Sequence, residues 1–201
     1  MHCPYCQQSV DEESAECRDC GLRMDRLDGV LGLPPVLTAG LTDRVGVLSP
    51  SSERVVRRAI RQFEERFPQI RLAVLLDLAP VVVPLRTWAW WLFNRARVSA
   101  ALDKGYVNRD ILLVIDSHRH QAALTIGYGL EPFVGPRELS TILEPAESIL
   151  AAGLWQEGCS RIIGLLADNL KEIVQRIPTT YGVAWPEPPA PLSSAQAATP
   201  W

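Results

Sequence analysis

The sequence predicts an α/β fold in which a short mixed sheet lies between helices, behind a small cysteine-rich module. Two observations predict it. From residue 49 onward, segments with helical spacing of apolar residues alternate with short apolar runs, and the runs at 70–76 and 111–115 are typical of strands covered on both faces. Separately, four of the five cysteines fall within the first twenty residues. We therefore expect one ordinary α/β domain preceded by a module too short to bury a core of its own.

The four early cysteines form two pairs with C-x-x-C spacing, Cys3 with Cys6 and Cys17 with Cys20. Two such pairs complete a tetrahedral sulfur site, which predicts a structural zinc ribbon over residues 1–26. Gly21 follows the second pair, where a tight turn favours a positive φ. A pair of disulfides or a redox-active C-x-x-C are the alternatives, and both fit less well because no signal for secretion precedes the cysteines and no βαβ pattern surrounds them.

Composition restricts the class of protein. The net charge of −3 argues against general affinity for nucleic acids, and the acidic residues among the first twenty positions argue against nucleic-acid binding by the ribbon. The N-terminus has no signal-peptide pattern, and no run of eighteen apolar residues occurs. These observations, with the free thiols, predict a soluble cytoplasmic protein.

Prolines and glycines mark the boundaries between the predicted segments. Residues 27–40 contain Pro34, Pro35 and three glycines and are predicted to be a linker, whereas residues 179–201 are rich in Pro, Ala and Ser and are predicted to be a disordered tail. The intervening residues 41–178 are the α/β domain.

The first half of the domain predicts two helices around a strand. Ser49 and Pro50 are a helix cap and a first helical residue, and apolar residues at helical spacing follow until Pro68. Residues 70–76 then form a buried strand. A second helix follows, with its apolar face formed by Leu85, Trp88, Ala89, Leu92 and Ala96.

The second half predicts a hairpin and two helices. Residues 111–115 and 122–126 are strands joined by a polar turn, so they should pair antiparallel. Gly135 and Pro136 begin a helix, and a last long helix carries apolar residues from Ile162 to Val174.

Three stretches resemble the TPM domain family. Residues 41–49 (LTDRVGVLS) are similar to the opening motif of that family, residues 108–114 (NRDILLV) to its strand motif, and residues 124–131 (LTIGYGLE) to its most specific signature. The resemblance covers residues 40–177. It implies a small mixed sheet between helices, in agreement with the pattern above.

The resemblance also implies candidate functions. Family members include thylakoid-lumen proteins of photosystem II repair and an acetylcholine-receptor modulator, and some members have phosphatase activity or bind calcium. Members usually carry a signal peptide, which this chain replaces with the ribbon, and often an acid shortly after the signature, where this chain has Pro132-Phe133-Val134-Gly135.

Several side chains are candidates for a second ion or ligand site. Asp77 and Asp116 each follow a predicted strand, so both reach one sheet edge if those strands are parallel. The resemblance adds Asp43 and Glu131, and Asn108 could also ligate an ion. Hard cations such as Ca²⁺ or Mg²⁺ prefer such oxygen clusters. The alternative is that each of these side chains braces a loop, stabilises a turn, ends a strand or faces water.

Several aromatic and histidine residues are candidates for contacts with a partner, a ligand or a metal. Trp90 cannot share the core face of its helix with its aromatic neighbours, so it either contacts a protein or membrane surface or packs against the ribbon or linker. Tyr128, between two glycines, could touch a ligand or simply occupy a strand end. His118 and His120 could bind a metal, although exposed histidines are ordinary in a polar turn.

The sequence therefore predicts a non-catalytic interaction or regulatory module with a protein partner and a structural zinc ribbon. The alternative is a Ca²⁺- or Mg²⁺-dependent phosphatase that uses the acidic side chains at the sheet edge. No nucleophile elbow or phosphate-binding glycine loop occurs in the sequence.

Overall fold

The computed structural model describes residues 2–10, 14–37, 40–96 and 109–181, with side chains described as far as residue 176. The elements in chain order are α1 (Met24–Leu31), β1 (Leu41–Asp43), α2 (Pro50–Arg66), β2 (Leu72–Asp77), α3 (Leu85–Arg95), β3 (Ile111–Asp116), β4 (Gln121–Ile126), α4 (Pro136–Ala151) and α5 (Trp155–Tyr181). The predicted α/β class is confirmed.

The strands form one four-stranded mixed sheet in the order β1-β2-β3-β4. The first three strands are parallel, and β3 pairs antiparallel with β4, as the sequence predicted for the hairpin. In the register, Asp77 lies opposite Asp116, and Asp43 lies opposite Leu76. The carboxyl ends of the three parallel strands therefore meet at one edge of the sheet.

Both faces of the sheet are covered, which explains why β2 and β3 are buried at every position. Alternate residues of these strands point to opposite faces. On β2, Leu72, Val74 and Leu76 belong to the core that contains residues of α2, α4 and α5, whereas Ala73 and Leu75 belong to the core that contains residues of α3 and α1. The sheet therefore separates two apolar cores.

Local signals in the sequence set several helix ends. The Ser49 side chain accepts a hydrogen bond from the Ser52 N–H at 3.1 Å, and Pro50 takes the first turn of α2. At α4, the Gly135 N–H donates to Glu138 Oε2 at 3.0 Å, and Pro136 begins the helix. These two caps match the predicted starts.

Residues 27–40 were predicted to be a linker, but the first part of this segment is helical. Helix α1 occupies its first residues and buries Leu27 against the same core as α3. Met24, Leu27 and Leu31 have helical spacing, so a short apolar stripe was present in the sequence. Helix α5 extends through Tyr181, and the remainder of the predicted tail lies outside the described residues.

Candidate functional site

The four cysteines of the two pairs come together into one cluster. The Sγ atoms of Cys3 and Cys20 are 3.6 Å apart, as are those of Cys6 and Cys17, and all four sulfurs lie within 4.8 Å of one another. A tetrahedral zinc ion with Zn–S bonds of about 2.3 Å would place its sulfurs about 3.8 Å apart. The cluster therefore has the dimensions of a closed four-thiolate metal site.

The two cysteine pairs lie on nearly identical backbone turns. The Gln7 N–H donates to the Cys3 carbonyl at 2.9 Å, and the Gly21 N–H donates to the Cys17 carbonyl at 2.8 Å. The residue after each pair has a left-handed backbone, with φ of 64° at Gln7 and 69° at Gly21. The prediction for Gly21 is confirmed, and Gln7 adopts the same conformation without being glycine.

Burial and hydrogen bonding shift the pKa values of the cluster's thiols in opposite directions. Cys3 and Cys17 are buried, while Cys6 and Cys20 are half-buried, and all four are free thiols. Hydrogen bonds from the backbone of Cys20 lower the pKa of the Cys17 thiol to about 7, whereas burial raises the pKa of Cys20 to about 12. A bound cation would hold all four sulfurs as thiolates.

The cysteine module is hydrogen-bonded to the start of α3. Arg86 donates from Nε to the Pro4 carbonyl and from Nη2 to the Tyr5 carbonyl, both at 2.8 Å. The buried Thr87 hydroxyl also donates to the Pro4 carbonyl, at 2.9 Å. Pro4 and Tyr5 are the two residues between the first pair of cysteines, so the turn that presents these thiols is itself held by the α/β domain.

Helix α1 supplies a second connection between the module and the domain. The Asp28 carboxylate accepts from the Trp91 indole at 2.9 Å and from the Arg95 guanidinium at 2.9 and 2.6 Å. The hydrogen bond from Arg95, and to a smaller extent that from Trp91, lowers the pKa of Asp28. Neither this cluster nor the Arg86 contacts were anticipated, because they join residues that are distant in sequence.

Three of the predicted acidic residues end the three parallel strands, namely Asp43 on β1, Asp77 on β2 and Asp116 on β3. The condition for a shared edge, that β2 and β3 be parallel, is confirmed. Asp77 and Asp116 are buried, and Asp43 is half-buried.

Each of these three carboxylates is engaged by donors of the protein. Asp43 accepts from the backbone N–H groups of Val45, Gly46 and Leu48 at 2.8–3.1 Å. Asp77 accepts from Arg44 at 2.5 Å and from the Leu78 N–H at 2.8 Å.

Asp116 is held by the hairpin turn that follows it. Its carboxylate accepts from the N–H groups of His118 and Arg119 and pairs closely with the Arg119 guanidinium. Burial opposes its ionisation, but these donors outweigh burial and leave the pKa of Asp116 below its usual range.

The remaining candidates lie elsewhere. Because β4 runs antiparallel to β3, Glu131 and Tyr128, which follow β4, lie towards the edge opposite the three aspartates. Glu131 is half-buried and Tyr128 is exposed, whereas Asn108 lies outside the described residues. Among the described residues, the four cysteines are the only group of three or more Cys, His, Asp or Glu side chains close enough to share a metal. An ion site at the acids stays a prediction.

The aromatic and histidine candidates are placed as follows. Trp90 is half-buried and packs against the core shared by α3 and α1. His118 is exposed, but His120 contacts the Trp155 ring, and its Nδ1 lies 2.8 Å from the Leu150 carbonyl. The two histidines therefore have different surroundings.

The comparisons with known proteins agree with this architecture. A family model described as TPM domain matches residues 41–169. The solution NMR structure of the N-terminal domain of a P. gingivalis protein is 22% identical, with a TM-score of 0.52, and 67% of this chain and 83% of that chain are covered.

A second solved structure is similar in fold. The N-terminal domain of the cg2496 protein from Corynebacterium glutamicum is 14% identical, with a TM-score of 0.51, and 68% of this chain and 83% of that chain are covered. At these identities the two neighbours show a shared fold. No curated protein matches the chain. In the described part of the chain, no helix is long and apolar enough to cross a membrane.

Proposed function

Because this chain belongs to the TPM domain family, we propose that it is a TPM-type interaction or regulatory module without catalytic activity, carrying a structural zinc ribbon. In this proposal Cys3, Cys6, Cys17 and Cys20 hold one zinc ion. The zinc supplies folding free energy to a module that has too few residues for a core. The chain then works in a reducing compartment, such as the cytoplasm, where the thiols remain free to bind metal.

The observation that carries the proposal is the state of the three aspartates at the sheet edge. Asp43 accepts hydrogen bonds from three backbone N–H groups, and Asp77 and Asp116 are each paired with an arginine. A catalytic cation would have to compete with these donors for the carboxylate oxygens. Carboxylates with such hydrogen-bond partners typically stabilise loops and strand ends.

The ribbon supports the same function. Four cysteine ligands leave no coordination position open for a substrate, so a zinc ion here would stabilise structure and not activate water. The Tyr5 side chain is 48% exposed although its carbonyl is bound by Arg86, so the ribbon presents an aromatic group outward from a fixed backbone. Exposed aromatic side chains are common anchors in protein interfaces.

The test measures hydrolysis of p-nitrophenyl phosphate by the zinc-loaded chain with Mg²⁺ or Ca²⁺ present, beside affinity capture of partners. The proposal expects no hydrolysis above that of an Asp116→Asn variant. It also expects a partner that binds the wild-type chain and the Asp116→Asn variant but not Cys17→Ser. Metal-dependent hydrolysis that disappears in a folded Asp116→Asn variant would overturn it.

The alternative function is a Ca²⁺- or Mg²⁺-dependent phosphatase that uses Asp43, Asp77 and Asp116. The meeting of three strand-terminal carboxylates at one edge of the sheet favours it, since this is where ligands of open α/β sheets bind. Under this alternative, Arg44 and Arg119 would release their carboxylates to the cation. Replacing Asp43 with Ala would then abolish hydrolysis that depends on the added metal.

A further inference from the structure

An apolar cleft lies at the opposite edge of the sheet from the three aspartates. It has a volume of about 180 Å³ and is walled by the end of α2, by α5 and by the segment that follows β4. Its apolar lining residues are Phe67, Ile70, Leu130, Phe133, Leu170, Ile173 and Val174. Phe133 is 39% exposed and Val174 is 41% exposed. The residues that the structure describes therefore leave part of this apolar lining open to solvent.

The cleft combines its apolar walls with one charged group. Arg109, which is exposed and lies just before β3, is the charged residue of the lining. A complementary occupant would insert an aromatic or aliphatic side chain and place a carboxylate a few ångströms away. The cleft is distinct from the cysteine cluster and does not involve the strand-terminal aspartates.

The chain itself carries that pattern beyond α5. The segment 182–201 contains Trp185, followed two residues later by Glu187, which is the one charged residue of that segment. Pro186 lies between these two residues, and Pro188 and Pro189 follow them. Prolines at this density favour an extended polyproline conformation. Two residues in that conformation span about 6 Å, which suits an indole in the cleft and a carboxylate at its rim.

The distances along the chain allow the segment to return to the cleft. Val174 lines the cleft on α5, and the helix continues seven residues further to Tyr181, a rise of about 10 Å. Trp185 follows four residues later, and four extended residues span about 13 Å. A chain that turns back at the end of α5 therefore reaches the cleft without unwinding the helix.

We propose that residues 182–201 fold back on the domain, with the Trp185 side chain in this cleft and the Glu187 carboxylate paired with Arg109. The segment then acts as an internal ligand. A partner peptide with the same spacing of an aromatic and an acidic residue would have to displace it before binding. This inference goes beyond the proposed function and does not depend on the metal or on the sheet-edge acids.

The test is amide hydrogen exchange of the full zinc-loaded chain, read at Leu130, Phe133 and Val134. These backbone N–H groups form the turn that walls the cleft, where Leu130 N–H donates to Gly127 and the other two donate to Leu130. A Trp185→Ala substitution is expected to speed exchange there at least severalfold, because it removes the group that covers the turn. Trp201→Ala, the matched control in the same segment, should leave exchange unchanged.

A charge exchange tests the second contact. Arg109→Glu alone should speed exchange at the same three amides, and combining it with Glu187→Arg should restore most of the protection. Equal exchange in the wild-type, Trp185→Ala and Trp201→Ala chains would overturn the proposal. Protection that rises with protein concentration would also overturn it, because it would place the segment on a second copy of the chain.

Discussion

At the scale of single residues, the backbone after each cysteine pair determines how the thiols are presented. Gly21 has a positive φ of 69°, and Gln7 reaches nearly the same value with a side chain that disfavours it. A methyl group at Gly21 would make only ordinary contacts, 3.5 Å from Glu16 Oε1 and 3.6 Å from Arg26 Nη1. The cost of a substitution there comes from the backbone.

We predict that Gly21→Ala weakens zinc binding and that Gln7→Gly strengthens it. A left-handed alanine costs about 1–2 kcal/mol, so the dissociation constant should rise about five- to thirty-fold, because the metal binds only to the folded ribbon. Competition with a chromophoric chelator measures both variants. Weaker binding by Gln7→Gly than by the wild-type chain would contradict this reasoning.

Asp116 gives the protein a defined response to acid. Its pKa is lower in the folded chain than in the unfolded chain, so its ionised form favours folding. That contribution is fully present above the unfolded pKa of about 4 and is lost as the pH falls through the folded pKa.

We therefore predict that the free energy of unfolding falls less steeply between pH 5 and pH 2, as an approximate range, in Asp116→Asn than in the wild-type chain. Urea unfolding at a series of pH values provides the measurement. Identical slopes in the two proteins would show that the carboxylate is not favoured in the folded state.

The residues whose roles could be predicted are those with local causes. The clustering of the four cysteines, the cap at Ser49 and the turn at Gly21 follow from short sequence patterns, and the structure contains all three. The partners of Asp77 and Asp116 could not be predicted. Arg44 is 33 residues from Asp77 in sequence. Arg119 is only three residues from Asp116, but its pairing depends on the exact conformation of the hairpin turn, which the sequence pattern does not specify.

At the scale of elements, the contact between α4 and α5 depends on one glycine. A Cβ atom at Gly158 would lie 2.4 Å from Leu150 Cδ2, whereas a Cβ at Gly164 of the same helix would meet nothing within 4 Å. Leu150 is buried and has little freedom to move aside. The same substitution should therefore have opposite effects at the two positions.

We predict that Gly158→Ala destabilises the protein by about 1–3 kcal/mol through overpacking. Gly164→Ala should stabilise it by about 0.5–1 kcal/mol, because alanine is the better helix former. Thermal or urea unfolding of the two single variants measures this difference. Equal stability of the two variants would mean that α4 and α5 pack less closely than described.

Two elements were not predicted, and both are short. Strand β1 has three residues, which is too few for a periodic pattern, and α1 has eight residues beside a segment rich in Pro and Gly. The handedness of the connections between the parallel strands could not be predicted from the sequence either. Helices α2 and α3 each link neighbouring parallel strands in the same direction but cover opposite faces, so the two connections have opposite hands.

At the scale of the whole molecule, the ribbon and the α/β domain form a continuous structure. The Arg86 and Thr87 contacts fix the first cysteine turn, and α1 joins the core beneath α3. The sequence predicted a ribbon, a linker and a domain in order, but it contained no local signal for contacts that depend on the packed position of α3.

We predict that Arg86→Ala loosens the ribbon without unfolding the domain. The substitution removes donors from the Pro4 and Tyr5 carbonyls, and hydrogen exchange at the Cys3 and Gln7 amides should rise about tenfold. Arg54→Ala, an exposed arginine on α2, is the matched control and should change nothing at these amides. Equal effects of the two substitutions would refute the docking contact.

The most direct test of the account is the zinc content of the full chain purified under reducing conditions without chelators. A closed four-thiolate centre predicts one zinc ion per chain by elemental analysis and a marked loss of zinc in a Cys17→Ser variant, because three ligands bind far more weakly than four. A wild-type chain without stoichiometric zinc, or a Cys17→Ser variant that retains it fully, would contradict the account.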